Sequence, residues 1–188
     1  MVNSANENRS WSPWHDIDNE KAKDDLPTTP GIYQVGTDFE IGRVRGSSRI
    51  VSIGSAAPSL RQRLRGQRFN KTARWGNLDR AGKWLLHGGH ILEFRYLRTD
   101  DEKEARYLED KHLLQYECEH WELPPSNEHS PLSEIKKDFE QKRVGRLAQE
   151  FLRDLLKQGW SPNEVARLLG TATKNVTNQL SSGVQSSP

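Results

Sequence analysis

Pro30-Gly31-Ile32-Tyr33, then Arg49-Ile50-Val51-Ser52-Ile53-Gly54, then Leu60-Arg61-Gln62-Arg63-Leu64-Arg65 is the stretch whose reading decides the fold. Two short apolar runs, rich in β-branched residues and each carrying a glycine, flank a polar insert. They predict strands over 31–35 and 49–53. Leu26-Pro27-Thr28-Thr29-Pro30 forces an extended entry, because proline disfavours helix in the residue before it. The insert 36–48, with Gly36, Gly42 and Gly46, reads as turn or loop with room for a short strand over 39–44. After the second run, Ser55-Ala56-Ala57-Pro58-Ser59 suits a helix start with Ser55 or Ser59 as N-cap. Leu60 and Leu64 then share one helix face while Arg61 and Arg65 share another, so a hairpin feeds a basic amphipathic helix.

Outward from this core, residues 67–90 are basic and aromatic, with Phe69, Lys71, Arg74, Trp75, Lys83 and Trp84, and predict a second short helix before a turn at His87-Gly88-Gly89-His90. A third strand is expected over 91–97. Thr99-Asp100-Asp101-Glu102 supplies a cap and an acidic first turn for a helix over 103–119, with Ala105, Leu108, His112, Leu113 and Tyr116 at helical spacing. The expected fold is α/β of the α+β kind, a small three-stranded antiparallel sheet flanked by helices, occupying residues 26–130. Residues 1–25 read as an irregular acidic arm whose Trp11 and Trp14 pack back on the body. Residues 131–180 form a separate helical unit: an amphipathic stretch over 131–158, broken near Gly145, then the capping-box pattern Ser161-Pro162-Asn163-Glu164. The Ser/Gly/Gln/Pro segment 181–188 is expected to be disordered.

Formal net charge is only +2, but it is unevenly distributed. Residues 41–98 carry 13 basic and 2 acidic side chains, whereas 99–150 carry 8 and 14. A concentrated basic block inside a nearly neutral chain is the electrostatic footprint of a polyanion partner; the plain alternative is a solvated basic face balanced by the acidic segments. The single cysteine, Cys118, excludes an intramolecular disulfide and suits a reducing compartment. No apolar run approaches a membrane span and no signal-peptide pattern is present, so a cytoplasmic protein without membrane contact is expected. His112, Cys118 and His120 lack the paired spacing of a zinc site.

Gly31-Ile32-Tyr33 and the later Ser52-Ile53-Gly54 resemble the two triplets that name the GIY-YIG endonucleases, with Ser52 where the family has tyrosine. The resemblance spans roughly residues 27–130 and rests on the order of several short motifs. It implies catalytic roles for Tyr33 as water-activating group, Arg63 as phosphate holder, Glu109 as ligand of one Mg²⁺ or Mn²⁺, and Asn127 as an orienting residue. Arg61 is the competing register for the arginine. Glu109 closes Glu104-Ala105-Arg106-Tyr107-Leu108-Glu109, and Asn127 closes Pro124-Pro125-Ser126-Asn127. Gln67 stands where the family often has histidine or tyrosine, so His87 or His90 is the substitute base if Tyr33 does not act alone. The chemistry is coherent: an arginine fork matches phosphate oxygens, and magnesium needs only one or two carboxylates. Each residue also has an ordinary structural reading, Tyr33 as a packed aromatic and Glu109 as part of a solvated face.

In the C-terminal unit, Ala166, Gly170 and Val176 fall at helix-turn-helix spacing, and the region resembles that superfamily in general. Its second helix would present Thr173, Lys174, Asn175, Thr177 and Asn178 to DNA; the alternative is a plain helical hairpin. Candidate nucleic-acid contacts in the first domain are Arg61, Arg65, Arg68, Lys71 and Arg74. The expected function is divalent-metal-dependent cleavage of double-stranded DNA, with the C-terminal helices aiding binding or site choice. The rivals are a non-catalytic DNA-binding or regulatory protein on a degenerate nuclease scaffold, and an RNA-binding module. Oligomeric state is open, a homodimer included.

Overall fold

The two apolar runs pair, and the pairing runs further than their apolar residues. In the computed structural model, which describes residues 10–65, 88–140, 145–171 and 173–182, β2 spans Gly31–Gly42 and β3 spans Ser47–Ala56. They are antiparallel, with Tyr33 opposite Gly54, Gln34 opposite Ile53 and Val35 opposite Ser52. The insert 36–48, expected as turn or loop with room for a short strand over 39–44, is strand on both sides of a turn in which the Arg43 N–H donates to the Gly46 carbonyl. Register irregularities between Val35 and Gly36, and between Gly36 and Ile41, absorb the unmatched residues, and Gly46 takes φ 70° in the turn.

Among the described residues the sheet has four antiparallel strands, one more than the three expected. β4, Leu92–Arg98, pairs with the other side of β2, and β1, His15–Asp16, pairs with β4 at Phe94 and Glu93, giving the order β1-β4-β2-β3. The extra strand comes from the segment expected to be an irregular arm. Its chain is pinned to β4 because the Ser12 N–H donates to the Tyr96 carbonyl at 2.9 Å and the Tyr96 N–H donates to Ser12 Oγ at 3.0 Å. Trp11 and Trp14 each stack over the Arg95 guanidinium, 4.7 Å from each ring centre. A short helix, α1 (Glu20–Asp24), follows with Asn19 as its N-cap.

Side chains directly opposite each other across a sheet share a face. Tyr33, Val35, Ala56 and Phe94 therefore lie on one face, where they pack with Leu26 and with Leu60 and Leu64 of α2 (Leu60–Arg65). Both triplet glycines have a packing reason. A Cβ at Gly31 would sit 2.6 Å from Leu60 Cδ1 and 2.4 Å from the Leu97 carbonyl, so only glycine lets α2 settle on the strand. A Cβ at Gly54 would sit 2.6 Å from Tyr33 Oη.

The opposite face carries Ile53, which packs with Leu113 and Tyr116 of α3 (Glu102–His120). Asp101 caps that helix by accepting from the Glu104 N–H at 2.8 Å, and Trp121 ends it in the left-handed conformation, φ 61°. The outer edge of β3 is then covered. The Ser126 N–H donates to the Val51 carbonyl, and the Asn127 amide both accepts from the Ile53 N–H at 2.9 Å and donates to the Ile53 carbonyl at 2.7 Å.

The chain divides into two compact units, Met1–His129 and Ser130–Pro188. In the second, α4 (Pro131–Glu140) and α5 (Arg146–Lys157, N-cap Gly145) fall on either side of residues 141–144, followed by α6 (Pro162–Leu169) and α7 (Thr173–Ser182). The Ser161/Glu164 capping box is formed in both directions, and Gly170 turns the chain at φ 65°. Leu132, Ile135, Phe151, Leu152, Val165, Leu169 and Val176 are buried. Helix α7 reaches into the segment expected to be disordered, through Ser182, and 183–188 lie outside the described residues. Among the described residues no helix is long and apolar enough to cross a membrane.

Candidate active site

Where β3 gives way to α2, an open cleft of about 390 Å³ is lined by Ser55, Ala57, Arg63, Arg106, Glu109 and Asp110. Ser55 projects from the α3 face of the sheet, two residues beyond Ile53 and one pleat period along. Arg63 comes from α2, exposed between the buried Leu60 and Leu64. Arg106, Glu109 and Asp110 come from α3, with Arg106 and Glu109 one turn apart on the same side of that helix. The Ser55 hydroxyl donates to Glu109 Oε2 at 2.5 Å, and Asp110 Oδ1 lies 3.4 Å from His129 Nε2. Two guanidiniums and two carboxylates thus share one polar opening with a hydroxyl between strand and helix.

Of the four residues expected to be catalytic, the structure brings two together here, Arg63 and Glu109. Tyr33 is fully buried on the other face of the sheet, its hydroxyl over Gly54. Asn127 does not line the cleft either; it grips the backbone of Ile53 and so holds the strand that carries Ser55. Ser52 is 1% exposed, on the Val35 side of β3. An aromatic side chain at that position would have to enter the core.

The basic helix resolves its own register. The Arg61 Nε donates to the Leu26 carbonyl at 2.8 Å, which ties that side chain to the fold, and Arg65 forms an ion pair with Asp24. Arg63 is the arginine of α2 that lines the cleft. Gln67, Arg68, Lys71, Arg74 and His87 lie outside the described residues. In the second unit, Thr173 Oγ1 donates to Asn163 Oδ1 at 2.8 Å and Asn175 Nδ2 donates to Thr171 Oγ1 at 2.9 Å, so both serve the turn. Lys174, Thr177 and Asn178 are the exposed side chains of the expected DNA-facing set.

Sequence reading passed over Ser55, Arg106 and Asp110. Of the two N-cap candidates, Ser59 takes the role, its Oγ accepting from the Gln62 N–H, while Ser55 belongs to β3, which runs past Ile53 to Ala56. Arg106 carried a legible signal, since it stands three residues before Glu109 and so shares its helix face.

The donor set at the cleft is made of oxygens, two carboxylates with a hydroxyl beside them, and the opening leaves room for water. That composition fits a hydrated Mg²⁺ or Mn²⁺ held through one or two carboxylates. Among the described residues no group of three or more His, Cys, Asp or Glu side chains gathers as a closed metal cage.

A second cleft, of about 450 Å³, lies against the N-terminal tryptophans and includes Trp11, Trp14, Gln34, Arg95, His112 and Tyr116. Gln34 is buried and its Oε1 accepts from the Arg95 Nε at 2.8 Å. Burial, together with the nearby Arg49, lowers the Arg95 pKa from its ordinary value. Burial, then Lys111 and Arg95, depresses His112 to about 4, which keeps its ring neutral against Trp11. Comparison of the chain with family models, with curated proteins and with solved structures found no match.

Proposed function

We propose that the first unit is a GIY-YIG-type nuclease that hydrolyses phosphodiester bonds of double-stranded DNA with Mg²⁺ or Mn²⁺. The observation that carries this reading is the meeting of Arg63 and Glu109, from different helices, in one open cleft. The Arg63 fork, with Arg106 beside it, binds the non-bridging oxygens of a scissile phosphate and offsets the charge that builds there in the transition state. Glu109, with Asp110 adjacent, would hold the cation, which when bound supplies a counter-charge for the leaving oxygen. Asn127 keeps the β3 edge and Ser55 in place. In the second unit, Lys174 and Asn178 on α7 suit contacts to DNA backbone or bases, which supports a role in affinity or site choice. The single Cys118 suits a reducing, cytoplasmic setting.

The decisive experiment is plasmid cleavage with Mg²⁺ or Mn²⁺, comparing wild type with Glu109→Ala. Cleavage should fall by roughly 10²-fold or more in the variant, the scale of losing one transition-state stabiliser. DNA binding without cleavage by either protein would sink the enzyme reading. A second reading then stands, a DNA-binding protein on a nuclease scaffold, favoured by the burial of both Tyr33 and Ser52.

A further inference from the structure

We infer that Ser55 is a positioning residue for Glu109, fixing the carboxylate through Oε2 so that it faces the cation instead of the neighbouring arginines; this rests on the metal-dependent reading above. A glutamate on a helix surface has three rotatable bonds and loses considerable rotamer freedom when held in one orientation. Two competing partners are at hand. Arg106 sits one turn back on the same helix, where an ion pair with Glu109 is within ordinary reach, and Arg63 lines the same cleft. Were Glu109 to swing onto either, the cation ligand and the phosphate-holding fork would neutralise each other.

The Ser55 hydroxyl prevents this from a rigid base. It projects from a strand held by β2 on one side and by Asn127 on the other, and it donates to Glu109 Oε2 at 2.5 Å. A carboxylate accepts about four hydrogen bonds, so this one leaves Oε1 and further lone pairs for a cation and its waters. Losing a partner that orients a ligating carboxylate typically costs about 10–100-fold in metal affinity.

The test is Mn²⁺ binding by the full chain, read by the electron paramagnetic resonance signal of free Mn²⁺, with no DNA present. Wild type, Ser55→Ala, Ser55→Thr and Glu109→Gln are compared, with far-UV circular dichroism and melting as fold controls. Ser55→Ala should weaken Mn²⁺ binding by about 10–100-fold, and Ser55→Thr, which keeps the hydroxyl, should restore it to within a few-fold. Affinity for DNA measured without metal should fall in Ser55→Ala, because Glu109 then pairs with the arginines that hold phosphate, and should return in Ser55→Ala/Glu109→Gln, a recovery that a general loss of structure would not give. If Ser55→Ala does not fold, Ser55→Cys, close in size but a weak donor, carries the same comparison. Equal Mn²⁺ affinity for wild type and the hydroxyl-deleted variant, with Glu109→Gln impaired, overturns the positioning role and leaves the nuclease reading intact. Equal affinity for wild type and Glu109→Gln removes Glu109 as the ligand, and both readings fall together.

Discussion

Adding one methyl group at Gly54 should show whether Tyr33 is a wedge in the core or a group waiting for substrate. A Cβ there would meet Tyr33 Oη at 2.6 Å, Cζ at 2.7 Å and Cε1 at 3.1 Å. Because Tyr33 is fully buried and its ring is stiff, either the ring or the β3 backbone must yield. Overpacking of this kind costs about 1–3 kcal/mol, while replacing glycine in a strand returns roughly 0.5–1 kcal/mol of backbone entropy. Gly54→Ala should therefore destabilise by about 1–2 kcal/mol, lowering the melting temperature by roughly 2–8 °C for a chain of this size. Tyr33→Phe removes the nearest clashing atom but leaves Cζ, so relief is partial. In urea titrations of both single variants and the double variant, the two costs should fall short of additivity by about 0.5 kcal/mol or more. Plasmid cleavage by Tyr33→Phe should stay within a few-fold of wild type. Additive costs, a Gly54→Ala protein as stable as wild type, or a well-folded Tyr33→Phe protein without activity would each refute the packing argument.

Asn127→Ala removes both hydrogen bonds to Ile53 and should cost about 1–3 kcal/mol; the sharper check is hydrogen exchange, where the Ile53 amide should lose protection while the Val35 amide, inside the sheet, keeps it. His112 makes stability depend on acid. Its folded pKa of about 4 lies below the 6.5 of the free side chain, so the unfolded chain binds the proton first and stability falls as pH drops from 6.5 toward 4. The full loss is at most roughly 3 kcal/mol, and His112→Gln should flatten that part of the pH–stability curve; an unchanged slope between pH 6.5 and 4 would show that other groups set it.

The hairpin, the basic helix and the helix bearing Glu109 were legible because each depends on local pattern: β-branched runs, leucines four apart, an acidic cap. So was the capping box at Ser161, whose bonds lie within four residues. The fourth strand was not, since a two-residue strand has no periodicity and exists through Ser12, Trp11 and Trp14 meeting β4 more than 75 residues away. The insert 36–48 misled because glycines there serve a long bulged strand as readily as a loop. The candidate site was half legible. Arg63 and Glu109 came from motif order, but motif order says nothing about sheet faces. That Tyr33 lies on the side away from Glu109 follows from strand register, which a sequence does not fix until Gly54 and Tyr33 are known to face each other.

The Asn127 clamp also governs how this molecule behaves toward its own copies. β1, at one border of the sheet, is two residues long, too short to template another chain. β3, at the other, has ten residues, and an uncovered strand of that length recruits partners edge to edge. With Ser126 and Asn127 laid along it, the Val51 carbonyl and both backbone groups of Ile53 are already taken. The motif that the nuclease resemblance singled out for chemistry is thereby also a guard against self-association, and loosening it should make the fold prone to edge-to-edge aggregation.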